Sequence, residues 1–321
     1  MSRATASAAE LAARLRARDV SAAPAVLTLL EAGGDAGREL LAELSPRALG
    51  GEAPGQIVGF TGPPGVGKST LLGALVGLWR DGGRSVAVLA VDPSSKRSGG
   101  ALLGDRIRIA GSAPGGPARF IRSMAAGERA GGLAPATRAA AQALAVAFDI
   151  VLVETVGVGQ SETEVADLAD TVVVVVQPGA GDSLQFLKSG LMEVPDVLVV
   201  AKADLGAPAF AALGEAKAAL RLLGANATQT LAVSALAPTS GIAELVAALD
   251  AQWGALDLPA RRVATRQAGA LADFVSEYGQ RGLRAVGGRR AAERLLSAQP
   301  ADLDGAALVE SLASAARASD F

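Results

Sequence analysis

A phosphate-binding loop is the feature of this sequence whose residue types and spacing could do chemistry. Residues 55–70 read GQIVGFTGPPGVGKST, an apolar strand followed by Gly-x4-Gly-Lys-Ser and the start of a helix. Loop glycines let the backbone N–H groups point at an anion, and the helix start adds further unpaired N–H groups. We expect the Lys68 ammonium to reach the β- and γ-phosphates of a nucleotide and the Ser69 hydroxyl to bind Mg²⁺. The predicted nucleotide-binding residues here are Gly62, Pro63, Pro64, Gly65, Val66, Gly67, Lys68, Ser69 and Thr70.

Acidic residues stand at the ends of two other predicted strands. Asp92 follows the strand Ser85–Val91, and Glu154 ends the strand Asp149–Glu154. Because open parallel sheets bind ligands at the carboxyl ends of their strands, we expect both carboxylates beside the phosphate loop. Asp105 belongs to the polar loop after Asp92. The alternative is that each acid only caps a following helix. The predicted metal ligands are Ser69, Asp92, Asp105 and Glu154, and the predicted catalytic residues are Lys68, Asp105 and Glu154.

A base-recognition loop is predicted after the sixth strand. VLVVAKAD at 197–204 resembles the Asn-Lys-x-Asp signature of GTP-binding proteins, and VSAL at 233–236 resembles the Ser-Ala loop that follows it. Asp204 can accept hydrogen bonds from both the N1–H and the exocyclic amine of guanine, and adenine has neither donor. Ala201 stands where the signature has Asn, which removes one side-chain contact to the base and to the neighbouring loops. The predicted base-binding residues are Lys202, Asp204, Ser234, Ala235 and Leu236.

Composition excludes several classes of function. The chain has 321 residues with 30 basic and 32 acidic side chains, and only 3% are aromatic, so we expect no nucleic-acid partner. It contains no cysteine and no histidine, which excludes disulfides, thiolate zinc sites and histidine acid–base catalysis. Any metal must therefore be held by oxygen, as Mg²⁺ is. No apolar run approaches membrane-spanning length, and residues 1–19 lack the apolar centre of a signal peptide. We predict a cytoplasmic protein with no membrane partner.

Hydrophobic periodicity divides the chain into three segments. Residues 1–50 have helical spacing and predict an N-terminal helical extension. Residues 51–258 alternate β-branched strands with helices, which predicts an α/β fold with a doubly wound, mostly parallel sheet. Residues 259–321 return to helical spacing, with breaks predicted at Pro259, Gly287–Gly288 and Pro300. The predicted strands are Gln56–Thr61, Ser85–Val91, Ala118–Arg122, Asp149–Glu154, Thr171–Gln177, Val197–Ala201 and Gln229–Ser234.

Three further strings make a family resemblance specific. The chain reads AVDPSSKRSGGALLGDRIRI at 90–109, VETVGVGQSE at 153–162, and VVVVQPGAGDSLQFLKSGLMEVPDVLVVAKAD at 173–204. Together with the phosphate loop, these strings resemble the MeaB/ArgK family of SIMIBI-class P-loop GTPases, and the resemblance extends over nearly the whole chain. The motif QPGAGDSLQFLKSG has no role in a generic GTPase, so it points to this family in particular.

The resemblance implies a GTP-hydrolysing metallochaperone with bound GTP or GDP and Mg²⁺. Its client would be an adenosylcobalamin-dependent acyl-CoA mutase, chiefly methylmalonyl-CoA mutase, whose cofactor loading it gates and which it protects or reactivates. The cobalamin would belong to the partner, and hydrolysis would be slow until the mutase activates it. The family also implies switches near 92–108 and 154–166, a third at 177–188, and a homodimer formed through a helical arm at 259–321. In the third switch it implies that Asp182, Gln185 and Lys188 communicate with the mutase.

Three other functions remain as alternatives. A nickel-insertion GTPase shares the GTPase class, but it would need His or Cys for its metal. A nucleotide-dependent protein kinase would need ATP, which Asp204 disfavours. A binding module without activity is disfavoured by the intact set of Lys68, Ser69, Asp92 and Glu154.

Overall fold

The computed structural model describes residues 6–46, 53, 55–92, 117–125, 133–155, 164–179 and 195–319. Contacts group the chain into two compact units. The first comprises Gly55–Thr137 and Phe148–Leu256, and the second comprises Met1–Pro54, Arg138–Ala147 and Asp257–Phe321. Each unit has its own cluster of buried apolar side chains. The division predicted from the sequence, at 50/51 and 258/259, stays a prediction.

A seven-stranded sheet forms the centre of the first unit. The strands are β1 (Gln56–Thr61), β2 (Val86–Asp92), β3 (Arg119–Ala125), β4 (Ile150–Glu154), β5 (Thr171–Val176), β6 (Val197–Ala201) and β7 (Gln229–Val233). Their order across the sheet is β3-β2-β4-β1-β5-β6-β7, and all of these strand pairs are parallel. Every predicted strand is present, with ends displaced by a few residues. The predicted α/β fold with a parallel sheet is confirmed.

The central strands are covered on both faces. Every residue of β1, β4, β5 and β6 is buried. Continuous runs of valine and isoleucine suit this environment, because successive side chains of a strand point to opposite faces and here both faces need apolar cover. Parallel neighbours also need long crossover connections, so all the carboxyl ends lie along one edge.

Ten α-helices lie in the described part of the chain. They are α1 (Ala8–Arg16), α2 (Ala23–Ala32), α3 (Gly34–Glu43), α4 (Lys68–Asp81), α5 (Pro135–Ala145), α6 (Ala207–Leu222), α7 (Ile242–Ala255), α8 (Leu258–Ala285), α9 (Arg289–Ser297) and α10 (Gly305–Ser319). The N-terminal and C-terminal helices were both expected. Among the described helices, none is at once long and apolar enough to cross a bilayer.

Helix α4 carries the phosphate loop at its amino end and is fixed by its apolar face. Leu72, Leu75, Val76 and Trp79 recur at helical spacing, are buried, and join Phe60 of β1 in the core of the first unit. Burying such a side chain stabilises the fold by about 1.5–3 kcal/mol. The start of α4 is therefore held at a fixed place beside the end of β1.

The C-terminal helices enclose a second apolar core. Phe274 is fully buried, and its ring stacks on Tyr278 with centroids 4.8 Å apart. The predicted break at Gly287–Gly288 is present, with φ of 95° and 88° in the turn between α8 and α9. A second break was not predicted: Gly279 interrupts α8 with φ 65° and ψ −167°. Its sequence signal is weak, since a single glycine within a helical pattern is common.

Gly59, in the middle of β1, offers a test of how tightly this strand is covered. A Cβ there would overlap Val165 Cγ2 and lie 3.1 Å from Ala169 Cβ, and both neighbours are fully buried. We expect Gly59→Ala to lower the free energy of unfolding by about 1–3 kcal/mol, because the packed core cannot make room. Urea unfolding followed by circular dichroism measures the difference.

Gly77→Ala in α4 is the matched control. Apart from its chain neighbours and the backbone of α4, no atom of the described residues lies within 4 Å of a Cβ built at Gly77. Alanine should therefore raise stability by roughly 0.5–1 kcal/mol through its helix propensity. Equal stability of Gly59→Ala and the wild type would contradict the close packing on β1.

Candidate functional site

The loop between β1 and α4 has a backbone that requires glycine. Gly62, Gly65 and Gly67 have φ values of 142°, 75° and 105°, which other residues rarely adopt. At Gly62 a Cβ would also overlap the carbonyl oxygen of Val175 in β5. At Gly65 and Gly67 no described residue beyond the chain neighbours lies within 4 Å of a built Cβ, and the backbone angle is what favours glycine.

The Lys68 side chain turns back onto this loop. Lys68 is the first residue of α4 and is buried. Its Nζ donates to the Gly62 carbonyl at 2.6 Å and to the Pro63 carbonyl at 3.1 Å. The N-cap residue Gly67 supplies no side-chain bond to the first turn. An ammonium and the positive end of a helix thus meet at one loop, which is the arrangement that favours a bound phosphate.

Ser69 and Glu154 form the adjoining part of the site. Glu154 ends β4 and pairs with Phe60 of β1 on one side and Ala90 of β2 on the other. Ser69 Oγ donates to Glu154 Oε1 at 2.7 Å, and the carboxylate is buried. This bond places Glu154 beside the start of α4, and the predicted roles of the two residues as metal ligands stay predictions.

The donor chemistry of this part of the site fits Mg²⁺. A hydroxyl and a carboxylate supply oxygen atoms, which are the ligands that Mg²⁺ prefers. Asp92 ends β2 at the same edge of the sheet, opposite Ala125 of β3. The Asp92 side chain and the whole of Asp105 lie outside the described residues. Their roles as metal ligands stay predictions.

Thr155 is a site residue that sequence analysis missed. Its backbone N–H donates to the Phe60 carbonyl at 3.0 Å, and its hydroxyl donates to Thr61 Oγ1 at 3.1 Å. These bonds extend the β1–β4 pairing by one residue beyond Glu154 and hold the carboxylate in register with the loop. Its sequence signals were its position directly after the predicted acid and its place in the string VETVGVGQSE at 153–162.

The base-recognition loop is attached to the phosphate loop through Lys202. Lys202 follows β6 and has a left-handed backbone, with φ 60° and ψ 41°. Its Nζ donates to the Gly65 carbonyl at 3.3 Å and to Gln177 Oε1 at 2.5 Å. Two loops that are 137 positions apart in the chain therefore share one ammonium group.

Asp204 and Ser234 meet on the other side of this loop. Ser234 Oγ donates to Asp204 Oδ1 at 2.8 Å and lies 3.3 Å from the Leu236 carbonyl. The Ser234 backbone exchanges two hydrogen bonds with Ser240, which fixes the loop after β7. Asp204 and Leu236 are exposed and Ala235 is half-buried. The exposed carboxylate is thereby oriented and still accessible to a base.

All the described residues predicted to bind nucleotide lie along one edge of the sheet. They follow the carboxyl ends of β1, β6 and β7, with Glu154 at the end of β4. The partner-switch residues Asp182, Gln185 and Lys188 fall outside the described part of the chain. The roles assigned to all of these residues remain predictions.

A parallel sheet with a phosphate loop after its central strand is the fold of P-loop nucleotide-binding proteins. Comparison with protein families narrows the class. The profile described as "Methylmalonyl Co-A mutase-associated GTPase MeaB" matches residues 23–280. The match covers well over half of the chain, and the protein belongs to the MeaB family.

Individual relatives agree with this family. A putative GTPase of Pyrococcus abyssi is 48% identical over 196 residues, which are 61% of this chain and 59% of the relative. The mouse protein named methylmalonic aciduria type A homolog, mitochondrial, is 42% identical over 172 residues, or 52% of this chain and 40% of its own length. The chain thus spans well under two thirds of these relatives. A solved structure of an LAO/AO transport system kinase is similar over 98% of both chains, with a TM-score of 0.62 and 27% identity.

Ser69→Ala tests the metal site. Removing the hydroxyl takes away one oxygen ligand and the bond to Glu154, so Mg²⁺ should bind the GDP complex at least about tenfold more weakly, as loss of a metal-site partner commonly does. Titration of the GDP-bound protein with Mg²⁺ measures this. Thr28→Ala is the control, because the Thr28 hydroxyl bonds the Pro24 carbonyl within α2, which belongs to the second unit. Unchanged Mg²⁺ affinity in Ser69→Ala would contradict the assignment.

Proposed function

We propose that this chain binds GTP and GDP and hydrolyses GTP to GDP and phosphate. The observation that carries the proposal is the bond from Lys202 Nζ to the Gly65 carbonyl, which joins the base loop to the phosphate loop. On this proposal a single nucleotide contacts both loops, with its phosphates at the phosphate loop and its base at the base-recognition loop. Family membership and the names of the relatives support the same activity.

The phosphate end of the site contributes charge and positioning. Phosphoryl transfer needs little covalent help from a protein, and charge neutralisation and orientation carry most of the catalysis. Lys68 would exchange its bonds to the Gly62 and Pro63 carbonyls for phosphate oxygens. Ser69 and Glu154 would hold Mg²⁺ together with Asp92 and Asp105. When bound, the metal neutralises charge that develops on the phosphate oxygens.

The attacking water needs a polar group to orient it. Glu154 is buried at the end of β4 and fixed by Ser69, so we assign it this role together with Asp105. A water held by a carboxylate can donate a proton toward it as the oxygen approaches phosphorus. Slow hydrolysis without a partner follows if the water is fully oriented only when the switch segments are ordered.

The base end of the site selects guanine through Asp204. The carboxylate accepts from guanine N1–H and from the exocyclic amine, while Ser234 holds it in place. The Ala235 N–H would donate to the guanine carbonyl. Adenine leaves the carboxylate without donors, and an unpaired charge under a bound base is costly.

We further propose that the chain is a chaperone of an adenosylcobalamin-dependent acyl-CoA mutase, of which methylmalonyl-CoA mutase is the type. The family description names association with that mutase. On this proposal GTP hydrolysis gates cofactor loading and protects or reactivates the mutase, and the cobalamin belongs to the partner. A homodimer through the arm 259–321 and a cytoplasmic location are parts of the same proposal.

A kinase is the second candidate, since a structural neighbour is an LAO/AO transport system kinase. That activity would use ATP, so nucleotide preference separates the two functions. The exposed Asp204 carboxylate, oriented by Ser234, favours GTP. A nickel-insertion GTPase would need imidazole or thiolate ligands, and the chain has neither histidine nor cysteine.

Calorimetric titration with GTP, GDP and ATP tests the nucleotide assignment. Guanine nucleotides should bind at least about a hundredfold more tightly than ATP, since a polar site rejects a base lacking the matching donors. In Asp204→Asn the amide can donate to the C2 carbonyl of xanthine, so the variant should prefer xanthine over guanine nucleotides. Comparable binding of ATP and GTP by the wild type would exclude the guanine site and favour the kinase.

Lys188→Ala tests the link to the mutase. Lys188 follows a glycine-rich stretch and should be needed for neither phosphate nor base. Intrinsic GTP hydrolysis should be unchanged, while most of the acceleration by the cognate mutase should disappear, because only the partner-ordered state uses the residue. Phosphate release with and without the mutase measures both rates. Equal acceleration of variant and wild type would remove the third-switch role.

A further inference from the structure

We infer that Gln177 is a positioning residue for the nucleotide site, and that it supplies the connection between loops that Asn at position 201 would otherwise make. The inference rests on the proposed binding of guanine nucleotides. Neither the phosphate-loop motif nor the base-recognition signature includes Gln177.

The residue at position 201 cannot connect the loops. Ala201 ends β6 with its methyl group buried in the apolar core of the first unit. Its backbone pairs with Val233 of β7, and its side chain has no polar atom. The base loop therefore needs another hydrogen-bonding side chain to hold it against the phosphate loop.

Gln177 lies where such a side chain can act. It follows β5, and β5 is the strand between β1, which leads into the phosphate loop, and β6, which leads into the base loop. Gln177 is half-buried, and its Oε1 accepts the 2.5 Å bond from Lys202 Nζ. The same ammonium reaches the Gly65 carbonyl at 3.3 Å. One lysine thus connects segments that follow three adjacent strands.

The hydrogen bonds to Gln177 and Gly65 hold Lys202 in one conformation. Its left-handed backbone is uncommon for a residue with a Cβ and persists where the surroundings hold it. A lysine side chain has many rotamers, and ordering it on a nucleotide is unfavourable unless it is already ordered. A charge-assisted bond to a neutral amide, added to the longer bond to Gly65, fixes the stem before the base arrives.

Four variants test the inference through the dissociation constant for a fluorescent GDP analogue. Gln177→Ala should weaken binding roughly tenfold, the ratio expected for loss of one charge-assisted bond. Gln177→Glu should bind as tightly as the wild type, because a carboxylate also holds the ammonium. Ala201→Asn should change binding by less than about threefold while Gln177 is present. In the double variant, Ala201→Asn should recover most of the loss caused by Gln177→Ala.

Gln229→Ala is the matched control. Gln229 is an exposed glutamine at the first residue of β7, at the opposite edge of the sheet, and its loss should leave the affinity unchanged. Urea midpoints of all variants separate local effects from unfolding. A merely structural role for Gln177 would give no recovery by Asn at position 201.

Two results would overturn the inference. Wild-type affinity in Gln177→Ala would show that Lys202 needs no second acceptor. Additive effects of the two substitutions on the dissociation constant would show that Asn at position 201 does not replace the function of Gln177. Failure of the wild-type protein to bind any guanine nucleotide would overturn the proposed function itself. The inference about Gln177 would then also be wrong, because it rests on that function.

Discussion

The approach of the phosphate loop to β5 at Gly62 is the constraint on which the site depends. The backbone turns there with φ 142°, where any Cβ would overlap the Val175 carbonyl. This contact sets the path of the loop, and the buried face of α4 sets where the loop ends. Lys68 and Ser69 are the first residues after that path, so their positions follow from backbone geometry and core packing. Gly62 therefore contributes to the candidate site through the path of its backbone alone.

The polar groups of the candidate site bind one another and the loop carbonyls. Lys68 is bonded to loop carbonyls, Ser69 to Glu154, Lys202 to Gln177, and Ser234 to Asp204. Where these groups are buried, as at Lys68 and Glu154, such bonds stabilise the fold, because a buried polar group without a partner is costly. On the proposed function, a nucleotide with its metal would replace some of them by bonds of similar strength.

Carboxylates serve different purposes at the two edges of the sheet. Near the amino ends, Asp149, Asp170 and Asp196 accept the backbone N–H groups of Ser85, Ile57 and Val172 at 2.7–2.9 Å. These acids satisfy the first donors of neighbouring strands and help to set their register. Glu154 instead meets a hydroxyl at the carboxyl edge. All four residues are acids next to a strand. Those that precede a strand bond backbone N–H groups, whereas Glu154, at the end of its strand, lies at the edge where a metal could bind.

The sequence by itself determined the strands, the phosphate loop and the family, because each depends on local patterns: valine-rich runs, glycines at fixed spacing, and motif strings. It also indicated the two base-recognition motifs, at 197–204 and 233–236, while the bond between Asp204 and Ser234 is seen only in the structure. The break of α8 at Gly279 is likewise seen only in the structure. Only the tertiary structure decided what joins these parts. Thr155 meets Thr61, and Gln177 meets Lys202, because strand order places side chains that are distant in the chain within hydrogen-bond reach. Such contacts leave no periodic trace in a single sequence, since they depend on how crossovers arrange whole strands.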